Sequence, residues 1–210
     1  MSRCLALFLS LGIASSAAAQ GPARFQAYAE PMPVPDFTLQ APGGDEVRAR
    51  DLLGKIWVAQ FFYPGCNLCI RNMPSMEKLH ETYRNKSDVR LVSLDLHGSS
   101  LKTLEEFAEY KKADPEKWLF LTGPKERVHD LARFGFLNMV FPNKYPEPGN
   151  AVTHTTHLVL VDHQGQMLGY VDGVEPDAAD ALKAEIDRLR LRRRLEQPIP
   201  VRGDALPYFN

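Results

Sequence analysis

The chain has 210 residues, 44% of them hydrophobic and 24% charged, with a formal net charge of −1. These are ordinary values for a soluble globular protein, and they give no reason to expect nucleic acid or a strongly charged partner. Beyond the N-terminus no apolar stretch is long enough to cross a bilayer.

The opening "MSRCLALFLSLGIASSAAAQ" has one Arg near its start, an apolar run from Cys4 to Ile13, and small residues ending in Ala17-Ala18-Ala19. It reads as a secretory signal peptide over residues 1–19, cleaved before Gln20. Its apolar core is shorter than the ~20 residues of a stable span, and an uncleaved anchor is the alternative. Cys4 leaves with the signal. Roughly 190 residues remain, enough for one domain with a sizeable core. The expected location is a bacterial periplasm, with membrane contact only through a partner or an uncleaved signal.

Residues 20–34 show no clear period and read as an irregular lead-in. In "PDFTLQAPGGDEVRARDLLGK", short alternations flank Gly43-Gly44, the pattern of a hairpin. "IWVAQFFY", Ile56 to Tyr63, is nearly all apolar, as a strand covered on both faces requires. After it, Ile70, Met73, Met76, Leu79 and Tyr83 recur at helical spacing, and Pro74 among them predicts a kink. "VRLVSLDL" is the next strand, Leu101, Leu104, Phe107 and Ala108 mark a helix, and "WLFL" is a short strand. Val128, Leu131 and Phe134 define one face of another helix, with Gly135 as its C-cap. Leu137–Thr153 reads as a long, mobile, Pro-rich loop. "HLVLVD" and "MLGYV" form a hairpin across His163–Gln166, a helix runs from Pro176 to Leu195, and a tail covers 197–210.

This order predicts an α/β protein: a thioredoxin-like three-layer sandwich over residues 35–196, its central mixed sheet carrying helices on both faces. "CNLC" lies where the first core strand meets the first long helix. A helix start offers unpaired N–H groups and the positive end of the macrodipole, so Cys66 is expected to have a lowered pKa. A disulfide across so short a loop constrains little of the unfolded chain, which disfavours a purely structural staple. Two residues between the thiols let both sulfurs face one point. That suits disulfide exchange and two-thiolate metal binding equally.

The segment "CNLCIRNMPSME" resembles the TlpA-like periplasmic thiol-disulfide reductases, with Met73-Pro74 following the second cysteine as in that group. From Leu91 onward the chain resembles the Sco/SenC/PrrC family instead. "SLDLHGSSLKTLEEFAEY" places Asp95 at that family's first acidic position, "WLFLTG" matches its Trp-x-x-Leu-Thr-Gly, and "HTTHLVLVD" matches its His, small-hydroxyl residues, strand and Asp. The resemblance spans Pro35 to Leu189 and implies that His154 is a metal ligand. The chain departs from that family in two places: two residues separate its cysteines instead of the usual three, and Ser99 replaces the second acidic residue.

Of the other histidines, His80 and His129 are expected in solvent, His163 in a hairpin turn, and His157 partly buried at a strand start. His97 follows Asp95 on the same sheet edge as the cysteines, and a solvent-facing loop position is its simplest reading. Thr156 stands near where thioredoxin-type oxidoreductases hold a cis-proline, which weakens the oxidoreductase reading. Tyr63 occupies the position where peroxidases of this fold need threonine, which argues against that activity. "RLRLRRR", Arg188–Arg194, reads as a solvated basic helix end, with an acidic partner or lipid surface as the weaker alternative.

Two thiolates select soft ions, Cu(I) above all, and an added imidazole also accommodates Cu(II). The favoured reading is a Sco-like copper-binding assembly factor, with Cys66, Cys69 and His154 as ligands. Its implied client is a copper enzyme such as a cytochrome oxidase subunit, and the loop Leu137–Thr153, with Phe141 and Tyr145, is expected to dock it. The rival reading is a thiol-disulfide reductase in which Cys66 attacks, Cys69 resolves, and a redox partner recycles the pair.

Overall fold

The computed structural model describes residues 23–67 and 69–196. The expected signal peptide and the tail 197–210 lie outside the described residues. In chain order the strands are β1 (Gln26–Pro33), β2 (Thr38–Gln40), β3 (Glu46–Arg48), β4 (Ile56–Phe62), β5 (Val89–Asp95), β6 (Trp118–Leu121), β7 (Val140–Glu147), β8 (Asn150–His154), β9 (His157–Val161) and β10 (Gln166–Asp172). The helices are α1 (Cys69–Tyr83), α2 (Leu101–Tyr110), α3 (Lys125–Asp130) and α4 (Ala178–Glu196).

Six strands make one mixed sheet in the order β1-β10-β9-β4-β5-β6. β4, β5 and β6 are parallel, and β9, β10 and β1 continue the sheet antiparallel from β4. Every residue of β4 is buried, because helices cover it on both sides. On one face Gln60 reaches Met73 of α1, and the Phe62 ring meets Phe107 of α2. On the other, the alternate residues Trp57 and Phe61 pack edge-on against Phe136, which follows α3. Successive strand residues point to opposite faces, so this one strand ties together both halves of the core. The expected sandwich is the observed one.

Several local expectations are corrected. The lead-in read as irregular contains β1, an edge strand paired with β10. Its residues are mostly exposed and include Pro31 and Pro33, so it carries no burial pattern to read; prolines are tolerated at an edge. Ile70 points outward at 64% exposure although it shares the helical spacing of the buried Met73, Met76 and Leu79. Phe134 is likewise 76% exposed, because α3 widens into a π-turn over Leu131–Gly135 that rotates it off the buried face. Gly135 lacks the positive φ of a left-handed cap; Leu137 adopts one instead. The supposed loop Leu137–Thr153 is largely a hairpin of its own, β7–β8, standing apart from the main sheet. α1 runs unbroken through Pro74.

Candidate metal and thiol site

β4 delivers the chain to the sheet's edge at Phe62, and a turn through Pro64 and Gly65 leads to Cys66. α1 begins at Cys69, whose backbone N–H donates to the Cys66 sulfur at 3.0 Å. The sulfur thus takes the place of an N-cap oxygen, satisfying a donor that a helix start leaves free. The two sulfurs are bonded to one another, with their Cα atoms 5.2 Å apart. Neither cysteine is open to solvent, at 3% and 2% exposure, so Cys66, the attacking thiol of the reductase reading, is covered.

The cover is the β7–β8 hairpin, and its last residue is His154. The imidazole Nε2 lies 3.3 Å from the Cys69 sulfur and 3.7 Å from that of Cys66. Its Nδ1 lies 2.8 Å from the Thr155 carbonyl. A carbonyl only accepts, so Nδ1 carries the hydrogen and Nε2 presents its lone pair to the sulfurs. A backbone carbonyl fixing the tautomer in this way is a usual support for a metal-binding imidazole. Burial pushes the His154 pKa below the ordinary imidazole value, with the bond to the Thr155 carbonyl pulling the other way. The ring is therefore neutral near pH 7, as a ligand must be. The donor atoms of Cys66, Cys69 and His154 lie within 4.8 Å of one another, a group that can hold a metal ion.

The two threonines after His154 fasten the hairpin's exit. Thr155 donates to Asn138 and Thr156 to Asp172, while Asn72 on α1 donates to the Thr156 carbonyl at 3.2 Å. Asp95 is fully buried and accepts from the N–H groups of His97 and Ser99 and from Thr122, so it anchors the loop after β5.

Among the remaining histidines, His97 is exposed and its ring rests 5.9 Å from that of Tyr63; it does not join the sulfurs. His157, the first residue of β9, stacks on Tyr170 at 3.9 Å and does not join the group at the sulfurs. His129, expected in solvent, is buried with Nε2 2.8 Å from the Leu96 carbonyl. His80 also departs from expectation: it is half-buried, packs on Trp118, and accepts from the Asp114 N–H.

Residues 26–189 match the family described as SCO1/SenC. The chain belongs to the SCO1/SenC family. A curated Sco relative, the SCO1 protein homolog of Bacillus subtilis, is 28% identical over 158 residues, covering 73% of this chain and 80% of its own. BsSco, a member of the Sco family of cytochrome c oxidase assembly proteins in which a disulfide switch was identified, superposes with a TM-score of 0.65 at 26% identity. That match covers 77% of this chain and 96% of BsSco. Arabidopsis thaliana ScoI, solved with copper bound, shares the fold at a TM-score of 0.63 and 18% identity, over 75% of this chain and 98% of its own.

Several residues that shape the site carried no sequence signal of their own. Tyr63 and Asn67, beside the cysteines, reach across to the hairpin turn at Gly149. Only pairing the long connection as a hairpin could have brought them forward.

Proposed function

We propose that this protein binds copper as cargo through Cys66, Cys69 and His154 and delivers it to a copper enzyme such as cytochrome c oxidase. The observation that carries this reading is His154: a buried, neutral imidazole with its free nitrogen turned toward two sulfurs. Thiolates and imidazole are soft-to-borderline donors that suit Cu(I) and Cu(II), whereas hard ions prefer oxygen. The copper carried by a relative of the same fold and the oxidase-assembly role of the Sco family support the same assignment.

Loading requires the disulfide to open. A partner dithiol supplies two electrons and two protons, ends as a disulfide itself, and leaves Cys66 and Cys69 as thiols that lose their protons on binding metal. Export by residues 1–19, a periplasmic location, and a domain bounded by the signal and the tail 197–210 belong to the same proposal.

A second reading is favoured by the bonded pair and by the N–H donated to Cys66: a thiol-disulfide reductase that uses the same cysteines without copper. Copper titration of the reduced protein decides between the two. The expected result is a single copper per chain, lost in Cys66→Ser and Cys69→Ser. Rapid reduction of a model disulfide with no copper retained would make the reductase the correct reading.

A further inference from the structure

One side chain touches both halves of the site. Tyr63 is buried, and its carbonyl accepts the Cys66 N–H at 3.1 Å. Its hydroxyl donates to the Gly149 carbonyl at 3.1 Å and accepts from the Ala151 N–H at 3.1 Å. Gly149 forms the turn between β7 and β8, and Ala151 lies three residues before His154 on β8. The same Gly149 carbonyl also accepts the N–H of Asn67, which lies between the two cysteines, at 3.1 Å. The fit at this point is close: Gly149 has φ +79°, and a Cβ there would sit 2.7 Å from the Asn67 side chain. The Tyr63 ring stands edge-on to the His154 ring, with centroids 6.3 Å apart.

We propose that Tyr63 is a positioning residue, whose hydroxyl latches the turn of the β7–β8 hairpin to the cysteine loop and so seats His154 on the sulfurs. The base of the hairpin is held by Thr155, Thr156 and the buried Val140 and Val152. Its turn meets the cysteine loop through the Gly149 and Ala151 hydrogen bonds, which set how closely the hairpin lies on the thiols. The latch also sets access to the pair. With the hairpin seated the cysteines are covered, and exchange or transfer needs it raised. The copper part of this inference rests on the proposed function; the access part does not.

Tyr63→Phe keeps the ring and removes both hydrogen bonds. The expected result in the reduced protein is a loss of Cu(II) affinity of about three- to tenfold, the scale of a lost buried hydrogen bond. Cu(I), which two thiolates can satisfy, should change by less than about twofold on the same scale. Alkylation of the reduced pair should speed up by a factor similar to the Cu(II) loss. On a His154→Ala background Tyr63→Phe should weaken Cu(II) no further, because the residue acts through that ring. Gly149→Ala tests the latch from the other side and should reproduce both effects, while Tyr110→Phe, exposed on α2, should reproduce neither. Wild-type Cu(II) affinity and alkylation rate in folded Tyr63→Phe overturn the inference, as does an equal Cu(II) loss with and without His154. If the wild type binds no copper, the metal reading fails alone, and the alkylation rates still decide whether Tyr63 is the latch.

Discussion

The N–H of Cys69, the first residue of α1, donates to the sulfur of Cys66 at 3.0 Å. When the disulfide opens, that bond and the helix N-terminus both favour a thiolate on Cys66, against the opposing effect of burial. With Cys69→Ser in place, alkylation of Cys66 should therefore show a pH midpoint below the ~8.5 of a free cysteine. A midpoint at or above that value would mean that burial prevails over the helix start.

Removing the third donor should separate the two copper states. His154→Ala leaves two thiolates, enough for linear Cu(I) and an incomplete site for Cu(II). Cu(II) affinity should fall by at least the ~10–100-fold that loss of a ligand's supporting partner costs, while Cu(I) affinity and reduction of a model disulfide change modestly. Intact copper binding with lost reductase activity would assign His154 to thiol exchange instead.

The outer side of the β7–β8 hairpin and the residues leading into it expose Leu137, Met139, Phe141 and Tyr145. Surface changes away from special contacts move stability by less than ~0.5 kcal/mol. Phe141→Ser with Tyr145→Ser should accordingly leave the melting temperature and copper binding unaltered, yet slow maturation of the copper-enzyme client. Maturation at the wild-type rate would remove the hairpin from client docking.

What the sequence made legible follows burial. β4 and the β9–β10 hairpin are recognisable because a covered strand must be apolar, and α1 is recognisable from Met73, Met76 and Leu79. β1 and β7–β8 were not, because they are mostly exposed, rich in proline, and held by hydrogen bonds that leave no apolar pattern. The same limit applied at the site. Cys66, Cys69 and His154 are rare residue types in recognisable surroundings, whereas Tyr63 acts through a hydroxyl whose partners lie 86 and 88 residues away. Phe134 misled because a π-turn breaks the 3.6-residue period on which the expectation rested.

Acid should weaken the fold through its buried imidazoles. Burial pushes His129 below its ordinary pKa, with the bond to the Leu96 carbonyl pulling upward and Lys125 and Arg133 pulling down. Burial lowers His80 and His157 as well. A folded pKa below the unfolded value of ~6.5 means that, as pH falls through that value, the unfolded chain takes up protons which the folded chain refuses. Stability is complete above it and declines on acidification until the folded pKa is reached. Thermal melts should fall between pH 7.5 and 5.5, and His129→Asn should flatten the decline. An unchanged slope in that variant would show that His129 is not a source of it.

Cys66 and His154 are separated by 88 positions, and everything from α1 to β8 lies between them. A chain still being synthesised, threaded through a membrane, or clipped anywhere in that interval has its two thiols without the imidazole. On the copper reading proposed above, three-donor capture of Cu(II) is thus reserved for finished molecules, whereas an immature chain keeps only the two thiols that can serve linear Cu(I). On the same reading the three-donor site forms only in the folded protein, so the proposed cargo would return stability to its carrier by mass action. A loaded molecule should outlast an empty one in the presence of proteases, so the copper supply itself would set how much of the protein survives.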